Sequence, residues 1–273
     1  MKSNVKGRDG PDIHKKDGDD KNIRAKGYSD KGRSEDRRRG FMLLYIVPAV
    51  MLMLIVFCII RFAVPYLQRT YKVVSIHEMA AIEGEKMEDR FGRVLTIYFT
   101  RVGNTDFEED VDAVASASLM EDSGRLIGNS ELLAKMVQNS VGGDIYAITT
   151  QKRYPSSYKV MMDEVIIENR EKEPLDLIGE LPDINQYDEV FMVYPVWWGS
   201  VPKALASFAA QADFDGRTVY AIVTHGGSGI ADSVRDFEKT SGAVVDGNVL
   251  EVYDQDVATA REKVTDWLKG LNR

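Results

Sequence analysis

The chain has 273 residues, of which 29% are charged, with 35 Lys+Arg against 43 Asp+Glu for a formal net charge of −8. That length supports a sizeable core, and the single cysteine, Cys58, excludes an intrachain disulfide, a CxxC redox pair and a cysteine-rich metal site. The charge is unevenly placed: residues 1–40 carry 13 basic and 8 acidic side chains, net +5, and the remainder carries 22 and 35, net −13, so the acidic body argues against nucleic acid and suits basic partners.

Residues 1–40 contain almost no large apolar side chain and cannot bury enough surface to offset chain entropy, so a disordered basic tail is expected there. From Phe41 to Ile60 runs FMLLYIVPAVMLMLIVFCII, twenty residues without a charge. At about 1.5 Å per residue this spans roughly 30 Å, the thickness of a bilayer's hydrocarbon core. The stretch is apolar on every side, and a single transmembrane helix is expected over 41–64. Residues 21–40 hold eight Lys+Arg, whereas 61–80 hold only Arg61, Arg69 and Lys72. The positive-inside rule then places the tail in the cytoplasm and everything after the span outside, in a single-pass protein of the cell membrane. No A-x-A cleavage site follows the span, which favours a retained anchor over a removed signal. The flank Arg38-Arg39-Gly40-Phe41-Met42 also resembles a twin-arginine export signal. The charged, mixed stretch 65–92 reads as a stalk.

From Arg93 onward short apolar runs alternate with helix-period segments. The runs are VLTIYF (94–99), DIYAI (144–148), EVFMVY (189–194), TVYAIV (218–223) and VLEVY (249–253). Near-continuous apolar runs indicate strands covered on both faces. Between them, stripes such as Leu132, Leu133, Met136 and Val137, or Val257, Ala260, Val264, Trp267 and Leu268, recur at three-to-four-residue spacing. Strand and helix alternating five times predicts a parallel sheet with helices on both faces, whose ligands lie beyond the carboxyl ends of the strands.

Three strand-end loops therefore matter. After the first strand comes Thr100-Arg101-Val102-Gly103-Asn104-Thr105, whose small polar residues suit backbone N–H groups that curl around an anion. The helix does not follow at once: 23 residues intervene before Asn129-Ser130 opens NSELLAKMVQ. Gly128-Asn129-Ser130 echoes Gly103-Asn104-Thr105, as if the turn had been split and a lid inserted; each triplet also reads as a turn plus an N-cap. After the third strand comes VYPVWWGSVP (193–202), where Pro195 fixes the strand end and Pro202 suits the start of a helix. Adjacent Trp197 and Trp198 point opposite ways on an extended chain, so one packs inward and the other is available for a planar ligand, or both pack under a loop. After the fourth strand comes Thr224-His225-Gly226-Gly227-Ser228-Gly229, a loop of exposed donors in which His225 reads as a hydrogen-bonding residue more readily than as a base. No second His, Cys or Asp stands at ligand spacing, and no metal is expected.

Together YFTRVGNT (98–105), YDEVFMVYPVWWGSVPKALASF (187–208) and GRTVYAIVTHGGSGIADSV (216–234) resemble the flavodoxin-like family, and within it a bacterial branch with YPxWWG and GGSG loops. The resemblance implies a doubly wound five-stranded parallel sheet of order 2-1-3-4-5 over residues 93–273, binding FMN. Thr100, Arg101, Val102, Gly103, Asn104 and Thr105, with Asn129 and Ser130 across the insert, would frame the phosphate. Val102 departs from the hydroxyl residue many relatives carry there. Pro195, Val196, Trp197, Trp198 and Gly199 would line one side of the flavin, and His225, Gly226, Gly227, Ser228 and Gly229 the other. The function implied is electron transfer by a flavoprotein, with redox proteins or quinones as partners; the expected membrane anchor is a second departure, since most relatives are soluble. An FMN-dependent NAD(P)H:quinone-type reductase and a flavin-free binding domain are the alternatives.

Overall fold

The structure is a computed structural model that describes residues 42–63, 73–107, 118–171 and 173–271. The expected basic tail, the twin-arginine flank up to Phe41, residues 65–72 of the stalk and part of the insert lie outside these. The chain divides into two compact units, Met1–Arg69 and Thr70–Arg273.

In the first unit residues 42–63 form a continuous helix, α-helical over Val47–Cys58 and more loosely wound at its two ends, Met42–Ile46 and Ile59–Ala63. Pro48 sits at the start of the α-helical part, where the loosely wound Met42–Ile46 segment passes into it. Every side chain described from Leu44 to Arg61 is exposed, and within that segment the helix is long and apolar enough to cross a membrane.

The second unit is built on a parallel sheet. Its strands are β2 (Val94–Tyr98), β5 (Asp144–Ala147), β6 (Glu189–Pro195), β7 (Thr218–His225), β8 (Val244–Val245) and β9 (Leu250–Tyr253). They lie in the order β5-β2-β6-β7, with β8 and β9 sharing the place beyond β7. This is the expected 2-1-3-4-5 order, with β9 as the expected last strand and β8 as a two-residue piece ahead of it. Along β6 burial alternates between two cores: Val190, Met192 and Tyr194 belong to one, Phe191 and Val193 to the other. That alternation is why the strand's sequence is apolar without a break. The first core takes Met161 and Val165 of α3 (Tyr158–Glu168), Leu205 and Phe208 of α4 (Lys203–Gln211) and Phe237 of α5 (Ser233–Ser241). The second takes Leu132, Leu133, Met136 and Val137 of α2 (Asn129–Val141), and Val264, Trp267 and Leu268 of α6 (Arg261–Gly270).

The structure departs from the expected stalk over residues 73–92, which pack on the domain. The first strand, β1 (Val74–Ser75), pairs in parallel with β3 (Leu119–Asp122), which turns into β4 (Arg125–Gly128), so the described end of the insert is a hairpin. The short helix α1 (Glu78–Ile82) places the Glu78 carboxylate between Arg125 and Lys135, and Lys135 also reaches Glu131 at 2.6 Å. Met87 and Phe91 are buried in the second core, with Phe91 5.9 Å from the Phe191 ring. Two isolated apolar residues amid charges carry no period, so the folded unit begins earlier than its strand pattern suggests.

Candidate functional site

The carboxyl ends of β2, β6 and β7 carry the three loops. The first of them, after β2, is held by Asn104, whose side chain leaves little capacity for a ligand. Its amide nitrogen donates to the carbonyls of Thr100 and Ile148, both at 2.9 Å, and its Oδ1 accepts from the Thr150 backbone N–H at 2.8 Å and from the Thr150 hydroxyl. Asn104 thus staples the end of β2 to the segment after β5. Arg101 is 1% exposed, and its Nη2 donates to the carbonyls of Pro155 and Ser156. Gly103 has φ +85° with open space where a side chain would stand. The Thr105 hydroxyl is buried and finds no hydrogen-bond partner among the described residues.

Across the insert, the backbone that opens α2 returns to this loop. A Cβ on Gly128 would lie 1.8 Å from Thr100 Oγ1, so only glycine permits the approach. The Gly128 N–H donates to Glu131 Oε2 at 3.2 Å, and the Asn129 N–H donates to the Ser118 carbonyl at 2.9 Å. The β2-end loop and the N-terminus of α2 are therefore adjacent despite the inserted hairpin, and both Asn129 and Ser130 are buried.

The second loop separates its two tryptophans. Trp197 is 5% exposed and meets Phe99 and Tyr154 edge to face, each at 5.3 Å, whereas Trp198 is 56% exposed. Trp197 and Ser200 exchange both backbone hydrogen bonds around Trp198 (φ +51°) and Gly199 (φ +77°), a type I′ arrangement. A positive φ is unusual for so bulky a residue. It turns the indole outward, where Nε1 donates to the Met162 carbonyl at 3.2 Å. The Gly199 carbonyl accepts from the Asp232 N–H at 2.9 Å, tying this loop to the segment after β7. Behind Trp197, the Tyr154 hydroxyl donates to the fully buried Glu168 carboxylate, which also pairs with Lys152 at 2.9 Å. Burial, followed by the charge of Glu168, pushes the Tyr154 pKa far up, so the phenol keeps its proton.

In the third loop, His225 Nδ1 accepts from the Gly227 N–H at 3.0 Å, which leaves the proton on Nε2. That nitrogen is 3.8 Å from the Glu251 carboxylate, and the ring lies 5.9 Å from that of Tyr253. His225 is thus a loop-shaping residue. Gly227 (φ +121°) and Gly229 (φ +62°) give the loop its open backbone.

Between the second and third loops lies a small cleft lined by Pro195, Val196, Trp197, Thr224, His225 and Gly226. Ser118, Tyr158 and Met162 complete it. Sequence reasoning missed these three. Met162 stands in a run of helix-period apolar residues that reads as core-facing, while Tyr158 follows the helix cap Ser157 and Ser118 lies within the insert, just before β3, positions with no motif of their own. A hollow of about 380 Å³ lies elsewhere, along α6 and residues 83–85, lined by charges such as Lys269 and Glu85 that pair with each other at 2.5 Å.

The sequence model of the family described as Flavodoxin matches residues 123–271. Among solved structures, a protein from Bacteroides eggerthii assigned as a flavoprotein is similar at 22% identity, covering 63% of this chain and 98% of that one with a TM-score of 0.42. Another so assigned, from Bacteroides uniformis, is similar at 22% identity over 66% and 99% of the two chains, with a TM-score of 0.46. A flavoprotein in complex with FMN from Lactobacillus acidophilus is similar at 16% identity over 63% and 98%, with a TM-score of 0.42. No curated protein matches this chain. With more than half of its length matched, and with a parallel sheet in the order that places three loops at one edge, the chain belongs to the flavodoxin family.

Proposed function

We propose that this is a membrane-anchored FMN-binding protein that carries electrons between partners. The observation that carries the proposal is the return of the α2 N-terminus to Thr100 near the small strand-end cleft, where the two halves of a loop split in the sequence would together form an anion cradle. The residues present fit such a ligand. Thr100, Gly103, Thr105, Asn129 and Ser130 would hold the phosphate. Pro195, Val196 and the Trp197 edge would lie on one side of the ring, and His225 to Gly229 on the other. FMN, when bound, supplies the capacity to take up and release electrons. The chain supplies orientation and exclusion of water, while carboxylates near the cleft such as Glu251 and Asp254 oppose further negative charge on the ligand.

The apolar helix and the basic residues before it support anchoring with the N-terminus in the cytoplasm and the domain outside. The same anchor would put an oxidoreductase beside lipid-soluble quinones, so turnover separates the two activities. Detergent-solubilised protein loaded with FMN should be reduced and reoxidised reversibly by artificial electron donors and acceptors. It should show almost no steady-state oxidation of NAD(P)H with a soluble quinone. Sustained NAD(P)H-dependent quinone reduction would replace the carrier with a reductase, and a flavin that cannot be reduced reversibly would end the electron-transfer proposal.

A further inference from the structure

Arg101 stands in the loop after β2, where the phosphate of the proposed ligand would lie, and a cation there invites the role of phosphate ligand. Its Nη2 is otherwise engaged. Nη2 donates to the Pro155 carbonyl at 3.1 Å and to the Ser156 carbonyl at 2.8 Å, and the guanidinium carbon lies 5.0 Å from the Phe107 ring centroid.

The segment it grips supports the other end of the site. Ser157 caps α3 by accepting from the Val160 N–H, and the first turns of that helix carry Tyr158 and Met162, both on the cleft. On the other side Tyr154 meets Trp197 edge to face at 5.3 Å, and its N–H donates to the Asn104 carbonyl at 2.8 Å. A guanidinium suits this task because its planar fork keeps its charge when buried and can satisfy two adjacent carbonyls at once. Without it, two partly buried carbonyls lose their donor and the turn between β5 and α3 loses one of its ties to the β2 loop.

We infer that Arg101 is a positioning residue for the ring end of the site: it fixes the 154–158 turn, and through it Trp197, Tyr158 and Met162, and does not bind the phosphate. This rests on the flavin-binding proposal. The test compares FMN with riboflavin, which has the same ring and ribityl chain but no phosphate, by fluorescence quenching on the full chain in detergent. Arg101→Met should weaken both ligands by a similar factor of about ten, as expected for lost charge-assisted hydrogen bonds, and should shift the visible bands of the bound flavin. Arg101→Lys, which keeps a donor, should recover part of the affinity for both. Weakening confined to FMN would make Arg101 a phosphate ligand and overturn the inference, as would unchanged binding of both ligands. If Arg101→Met does not fold, Arg101→Lys carries the same comparison at smaller amplitude. Should the wild type bind neither flavin, the functional proposal fails on its own. Amide exchange of residues 154–158 then still decides for Arg101: faster exchange in the variant supports the fixing of the turn, and unaltered exchange overturns it.

Discussion

Trp197 and Trp198 share a chemistry and differ in everything that surrounds them. Trp197 is 5% exposed within a cluster of Phe99 and Tyr154, so Trp197→Ala should cost about 3–5 kcal/mol in a denaturant titration of the folded domain. Trp198 is 56% exposed and makes one hydrogen bond to a carbonyl, so Trp198→Ala should cost about 1 kcal/mol or less. Equal losses would contradict this division. The pattern in the sequence requires opposite faces but does not say which tryptophan turns inward; that is decided by the positive φ at residues 198 and 199. Gly128 is a second such residue. Gly128→Ala would push a methyl into Thr100 and should destabilise the domain by about 1–3 kcal/mol while weakening FMN binding. Thermal melts and a flavin titration check both, and an alanine variant with wild-type affinity would separate the α2 start from the cradle. The GNS triplet was legible as an anion-binding echo, whereas the packing that makes its glycine obligatory depends on a residue 28 positions earlier. The triplet after β2 was legible as a loop, but its Asn104 proves to be a staple, because an amide that can donate and accept twice is also the best brace between two strand ends.

Among the elements, the sheet was readable because its central strands are covered on both faces, and α2 and α6 because their stripes face it. The last strand was read as VLEVY (249–253) alone, and the Val244–Val245 piece that pairs with the other end of β7 was missed, because Asp246-Gly247-Asn248 is a turn signal that cuts two residues off from the apolar run. The segment 73–92 escaped because it is held by ion pairs and two lone apolar anchors. Glu78 illustrates the tie: burial works to raise its pKa, but Lys135 and Arg125 outweigh that and hold it below its ordinary value. A carboxyl whose folded pKa is depressed contributes stability that is complete above its unfolded value near 4.5 and is lost as pH falls through the lower folded value. Acidification below about pH 4 should therefore loosen α1 before the parallel sheet, seen as protease cleavage or fast amide exchange within residues 73–92. Glu78→Gln should bring the same sensitivity to neutral pH. Protection of 73–92 that persists in acid and in this variant would show that Met87 and Phe91 alone secure the segment.

At the scale of the whole molecule an exposed, apolar helix precedes an acidic domain whose sheet presents three loops at one edge. The full chain should stay with membranes under alkaline extraction and leave them only in detergent, whereas the unit from Thr70 to Arg273 should remain in solution; extraction of the full chain by alkali would contradict anchoring. Partner and direction of electron flow leave no motif, because they depend on docking surfaces and on potentials set by the whole site. The visible absorption spectrum of the purified full chain, titrated with FMN while flavin fluorescence is followed, tests the central claim most directly. Binding predicts saturable quenching with shifted flavin bands, reduced in Gly128→Ala. A spectrum that remains that of free FMN, with unquenched fluorescence at high protein concentration, would contradict a flavin site at these strand ends.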